Sequence, residues 1–61
     1  MCLENGVIID SGHWVWCVYD SEQIAHRVHN SVLLTNPQVI VSDVSFLIYD
    51  GQDAYGFRIH K

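Results

Sequence analysis

The sequence predicts a small α+β domain in the order ββαβββ, an antiparallel sheet or sheets with one short helix packed on one face. Three observations predict it. Runs rich in β-branched and aromatic residues recur between turn signals at Ser11-Gly12, Asn36-Pro37 and Asp50-Gly51-Gln52-Asp53. One stretch after Asp20 switches to helical spacing of its apolar residues. The 61 residues suffice for a single domain, 1–61, with 1–5 as a loose lead-in.

The first run, Gly6 to Asp10, and the second, His13 to Tyr19, read as a hairpin. A two-residue turn at Ser11-Gly12 sets Ile9 by Trp14 and Val7 by Trp16 on one face, with Asp10 by His13 and Ile8 by Val15 on the other. Both faces are apolar, which an antiparallel sheet with one wet face would not show, so something must cover each.

A helix of about nine residues follows. Asp20 reads as N-cap with Gln23 completing a capping box, and Tyr19 and Ile24 fall at the staple positions. Ile24, Ala25 and Val28 form its apolar stripe and Asn30 its left-handed end. Ser31 to Thr35 then returns to β character, turning at Asn36-Pro37 into a long run, Gln38 to Tyr49, bent near Ser42-Asp43.

The chain closes on a hairpin from Asp43 to His60. With Gly51-Gln52 as a type II′ turn, Val44, Phe46 and Ile48 oppose Ile59, Phe57 and Tyr55 on one face. Asp43, Ser45, Leu47 and Tyr49 oppose His60, Arg58, Gly56 and Ala54 on the other. A one-residue slip would scramble both faces, so the face assignment is strongly specified.

Composition narrows the function. Half the chain is hydrophobic (49%) and only 16% is charged. For a domain this small, with so much surface relative to core, that balance predicts a homo-oligomer that hides apolar faces. The net charge is −4, with Arg27, Arg58 and Lys61 as the only Lys or Arg residues. Three cations cannot neutralise a run of phosphates, so direct nucleic-acid binding is not expected. No basic leader and no membrane-length apolar run is present, and Cys2 and Cys17 read as free thiols, which together point to the cytoplasm without membrane association.

Several groupings could carry chemistry. Glu22, His26 and His29 fall on one helix flank, a carboxylate and two imidazoles of the kind that hold Zn²⁺ or Ni²⁺. Their spacing is not the i,i+4 His pair of metalloproteases, and a solvated face is the simpler reading. Asp10 with His13 and Asp43 with His60 resemble halves of an acid–base pair, but neither Ser11 nor Ser45 sits in a nucleophile elbow. Cys17 lies ~13 Å along its strand from His13. Trp14 and Trp16 share a face and read either as core against the helix or as a stacking surface, with core the simpler reading. Arg58, flanked by Ser45 and His60 on the face that also holds Tyr49, is the best of the cations for an anionic group.

These observations predict a small non-enzymatic binding protein, homodimeric or larger and without a cofactor. It would inhibit a protein partner or sequester a small anionic ligand through Trp14, Trp16, Tyr49, Arg58 and His60. Two alternatives are a small metal-dependent or acid–base enzyme built on the helix flank, and an acidic mimic that blocks a nucleic-acid-binding protein through Asp50 and Asp53.

Overall fold

The computed structural model describes residues 6–61; the lead-in read at residues 1–5, Cys2 included, lies outside them. The elements are β1 (Val7–Ser11), β2 (Trp14–Tyr19), α1 (Glu22–Thr35), β3 (Ser45–Tyr49) and β4 (Gln52–His60). The strands form one antiparallel sheet in the order β1-β2-β4-β3. The helix packs on β4 and β2, the two central strands. The α+β class with one helix on one face is therefore as the sequence predicts, with one strand fewer: the order is ββαββ.

The missing strand is the second half of the helix. Ala25, Val28 and Val32 are the buried residues of α1, and their spacing carries the apolar stripe past Asn30. Asn30 is therefore mid-helix. The helix stops where Pro37 forbids helical dihedrals in the residue before it, and Asn36 sits at φ −132°, ψ 75° with its N–H still donating to the Val32 carbonyl. At the other end the N-cap is Ser21, not Asp20, and its side chain makes no capping hydrogen bond. Tyr19 and Ile24 consequently do not form a staple; Tyr19 is in the core and Ile24 packs against it.

Both hairpins keep the predicted faces and shift the predicted partners by two residues. In the first, the turn is Gly12-His13, so Ile9 opposes Trp16 and Val7 opposes Val18. In the second it is Asp50-Gly51, with Tyr49 opposite Gln52, Leu47 opposite Ala54 and Phe46 opposite Tyr55. Asp50 (φ 55°) and Gly51 (φ 74°) both take positive φ. That is the type I′ pattern for which Asp-Gly is a preferred pair and whose twist matches that of the strands. A two-residue shift preserves the inside–outside alternation.

The long run before Tyr49 does bend near Ser42-Asp43, and both halves lie against β4. Val41 bridges Ile59, the Ser42 N–H donates to the Arg58 carbonyl, and the His60 N–H donates to the Ile40 carbonyl. Pairing then resumes at Ser45 opposite Gly56 with one extra residue on this side, a β-bulge. The extra residue switches the alternation, so that Val41 before it and Val44 after it both reach the core. His29 secures the bulge: its Nε2 lies 2.9 Å from the Ser42 carbonyl, which can only accept, so the ring nitrogen donates.

The core lies between α1 and the β2–β4 pair: Cys17, Tyr19, Phe57 and Ile59 from the sheet, Ala25, Val28 and Val32 from the helix. Cys17 is disulfide-bonded. This corrects the free-thiol expectation and removes its support for a reducing compartment. No helix of the described residues is long and apolar enough to cross a membrane.

Candidate binding surface

Among the described residues no helix or strand packs on the face of the sheet away from α1, although Val18 and Ala54 on that face are buried. Alternation places Ile9, Trp14, Trp16, Arg58 and His60 together at one end of it and Val7, Val18, Leu47, Ala54 and Tyr49 toward the other. Trp14 and Trp16 are half-buried by their strand neighbours and do not meet the helix stripe, so they are not the core that their apolar character suggests.

Arg58 organises the first group. It stands opposite Trp16, and its guanidinium carbon is 4.8 Å from the Trp14 ring centroid and 5.8 Å from that of Trp16. A guanidinium at this range is held by the ring quadrupoles and needs no hydrogen-bond partner to stay there. His60 extends the cluster, its ring edge-on to Trp14 at 4.8 Å and parallel to His13 at 6.2 Å, while its Nδ1 donates to the Lys61 carbonyl. Among the described residues no carboxylate neutralises Arg58. The result is an aromatic plate carrying an exposed fixed cation with free N–H donors.

Tyr49 belongs elsewhere on the face. It lies opposite Gln52, and Arg58 is six residues farther along β4, about 20 Å away. Tyr49 instead lines a cleft of about 380 Å³ with Val7, Val18, Gln52, Asp53 and Ala54. Asp20 and Asp53 at this cleft make it a poor seat for an anion. The five residues predicted to bind thus share a face, and four of them are brought together.

The other candidates disperse. His26 points to solvent 3.8 Å from Glu22, while His29 turns inward, edge-on to Phe57 at 5.1 Å, to hold the Ser42 carbonyl. Among the described residues no group of three His, Cys, Asp or Glu side chains is placed to hold a metal. Asp10 accepts from the Gly12 N–H and from the Lys61 ammonium and not from His13, and the hydrogen bond to Lys61 lowers its pKa below the ordinary 3.8. His60 lies by Trp14 and not by Asp43, because the two-residue shift at the turn and the one-residue bulge together set Ile40 in that place.

The role of Ser42 is the feature that sequence reasoning misses. Its hydroxyl accepts from the Arg58 N–H at 2.9 Å and its carbonyl accepts from His29, so it ties helix, bulge and Arg58 together. Its only signal in the sequence is a polar residue interrupting an apolar run.

The fold and this surface define a two-layer α+β protein whose second sheet face carries no helix among the described residues. No protein-family model matches the chain, and neither a curated protein nor a solved structure does.

Proposed function

We propose that the chain is a small non-enzymatic binding protein that works as a homo-oligomer and blocks a protein partner through its helix-free sheet face. The observation that carries this reading is Arg58 stacked over Trp14 and Trp16 with no carboxylate among the described residues to neutralise it. Tryptophan, tyrosine and arginine are the residues that dominate protein–protein binding energy, chiefly when a rigid apolar surround excludes water from them. Here the arginine is pre-positioned, so little side-chain entropy remains to be lost on binding.

A protein partner is favoured over a small anionic ligand by shape. The cation lies on an open face, and the cleft that could enclose a small molecule lies far from it beside two carboxylates. Two of the groups suited to acid–base chemistry are engaged in structure, Asp10 by Lys61 and His29 by Ser42. The homo-oligomer is supported by the apolar side chains left in solvent, among them Ile8, Leu34, Ile40, Phe46 and Ile48.

The test is affinity capture from an extract of the source cells with the wild-type chain, Trp16→Ala and Arg58→Glu. Both substitutions lie off the core and leave the fold intact by circular dichroism. A protein retained by the wild type and lost, by at least about tenfold, from both variants is the expected result. Equal retention by all three removes the face as the binding surface. A co-purified small molecule lost from both variants in native mass spectrometry would replace the protein partner with a ligand.

A further inference from the structure

Two strands of the sheet are edges, β1 and β3. The residues flanking a two-residue turn exchange the narrow hydrogen-bonded pair, so Tyr49, Leu47 and Ser45 direct their amides and carbonyls to β4. The Ser42-to-Arg58 and His60-to-Ile40 bonds farther along confirm that the even-numbered residues of β4 face this side. Phe46 and Ile48 therefore direct their N–H and C=O groups outward. Their side chains are 55% and 59% exposed, beyond the reach of the helix.

Natural sheets protect such an edge with charge, proline or a covering element. β3 reads Ser-Phe-Leu-Ile-Tyr and has none within it. β1 differs, since one of its two outward-directed positions is Asp10, bound to Lys61.

We propose that β3 pairs antiparallel with β3 of a second copy about a two-fold axis through Leu47, joining two sheets into one of eight strands. The strand is self-complementary in this register. Phe46 forms a hydrogen-bonded pair with the partner's Ile48, and Ile48 forms the same pair with the partner's Phe46, satisfying every outward N–H and C=O of those residues. Both pairs are apolar and lie on the helix side of the sheet. Leu47 meets the partner's Leu47 on the helix-free face, and Ser45 meets the partner's Tyr49. The bulge at one end and the Asp50-Gly51 turn at the other limit the contact to five residues, and the two-fold operation consumes both β3 edges. The assembly is a closed dimer, and α1, seated over β2 and β4, does not obstruct it. Its small area places the affinity in the weak class, with a dissociation constant on the order of micromolar.

This inference rests on the homo-oligomer reading above and names its interface, so the experiment separates the two. Mass is measured by sedimentation equilibrium on the full chain from about 1 µM to 1 mM, a range that brackets the expected constant. The wild type reaches twice the 7.0 kDa chain mass. Ile48→Pro removes one outward N–H per copy and no bond to β4, and it weakens association on the order of 30-fold or more. Ile48→Lys weakens it as well, and both variants stay folded by circular dichroism. Under mild oxidation Leu47→Cys cross-links two copies, because cysteines directly opposite in a non-hydrogen-bonded pair lie within disulfide reach. Phe46→Cys does so far more slowly. A dimer that survives both Ile48 variants unchanged overturns the β3 interface and leaves the oligomer reading standing. Equal cross-linking of Leu47→Cys and Phe46→Cys overturns the register. A wild-type monomer across the whole range overturns both.

Discussion

At the scale of single residues, much of the polar chemistry of this chain is spent on closing the fold. Asp10 is the clearest case. Its carboxylate accepts from the Gly12 N–H, which shapes the first turn, and from Lys61, while the Lys61 N–H donates to the His13 carbonyl. The hydrogen bond from Lys61 is the main cause of its lowered pKa, with the attraction of the ammonium and the Gly12 N–H adding to it. A carboxyl whose folded pKa lies below its unfolded value stabilises the fold above the unfolded value and stops doing so as pH falls through the folded one. The contribution of Asp10 is therefore full at neutral pH and disappears below about pH 4. Because the pair is exposed, salt screens it and its effect on stability is small. Carboxyl-resolved NMR titration should place Asp10 below 3.8, and Lys61→Ala should return it to the ordinary range. An Asp10 titration unchanged by Lys61→Ala would show that the contact does not persist in solution.

At the scale of elements, β4 is the spine, paired with β2 on one side and with β3 and the 40–42 segment on the other. Gly56 sits at its middle, opposite Val18 on β2 and Ser45 on β3. A methyl group there would come within 2.5 Å of the Cys17 carbonyl oxygen, a backbone atom that cannot swing aside. Gly56→Ala must push β2 from β4 at the centre of the core, at a cost of about 2 kcal/mol or more. For a domain of this size that lowers the melting temperature by roughly 10 °C. A melt within two or three degrees of the wild type would mean that the β2–β4 spacing is soft.

The faces of these elements were legible in the sequence and their registers were not. Period-two alternation fixes which side a residue takes, and it correctly groups Trp16 with Ile9 and Val7, and Arg58 with His60 and Tyr49. It cannot distinguish partners two residues apart, because both choices satisfy it. Turn chemistry breaks the tie, and the preference of Asp-Gly for positive φ at both positions selects Asp50-Gly51 over Gly51-Gln52. The second half of the helix escapes a reading by pattern because a short apolar run such as Val32-Leu33-Leu34 fits a buried strand as well as a helix. The stripe Ala25, Val28, Val32 and the proline at 37 decide for the helix once the sheet offers a surface to pack on. The cation–π cluster was half legible: the face was predicted, and the position of the guanidinium over both rings depends on a register the pattern leaves open.

At the scale of the whole molecule, one helix covers the two central strands of a four-stranded sheet and leaves apolar surface in solvent at the β3 edge, while the helix-free face keeps its tryptophans half-exposed and its Val18 and Ala54 buried. A chain of this size holds little stability in reserve. Pairing at β3 would hide Phe46 and Ile48 and place two Trp14–Trp16–Arg58 plates on one continuous sheet, where a two-fold partner could engage both at once. It also couples folding to association, since whatever binds only the folded chain stabilises it by mass action. The melting temperature of the wild type should therefore climb with protein concentration through the micromolar range, by a few degrees per hundredfold. Ile48→Pro should show the same climb displaced to roughly 30-fold higher concentration. Differential scanning calorimetry over that range reads both, and a wild-type melting temperature independent of concentration would show that the folded chain gains nothing from a second copy.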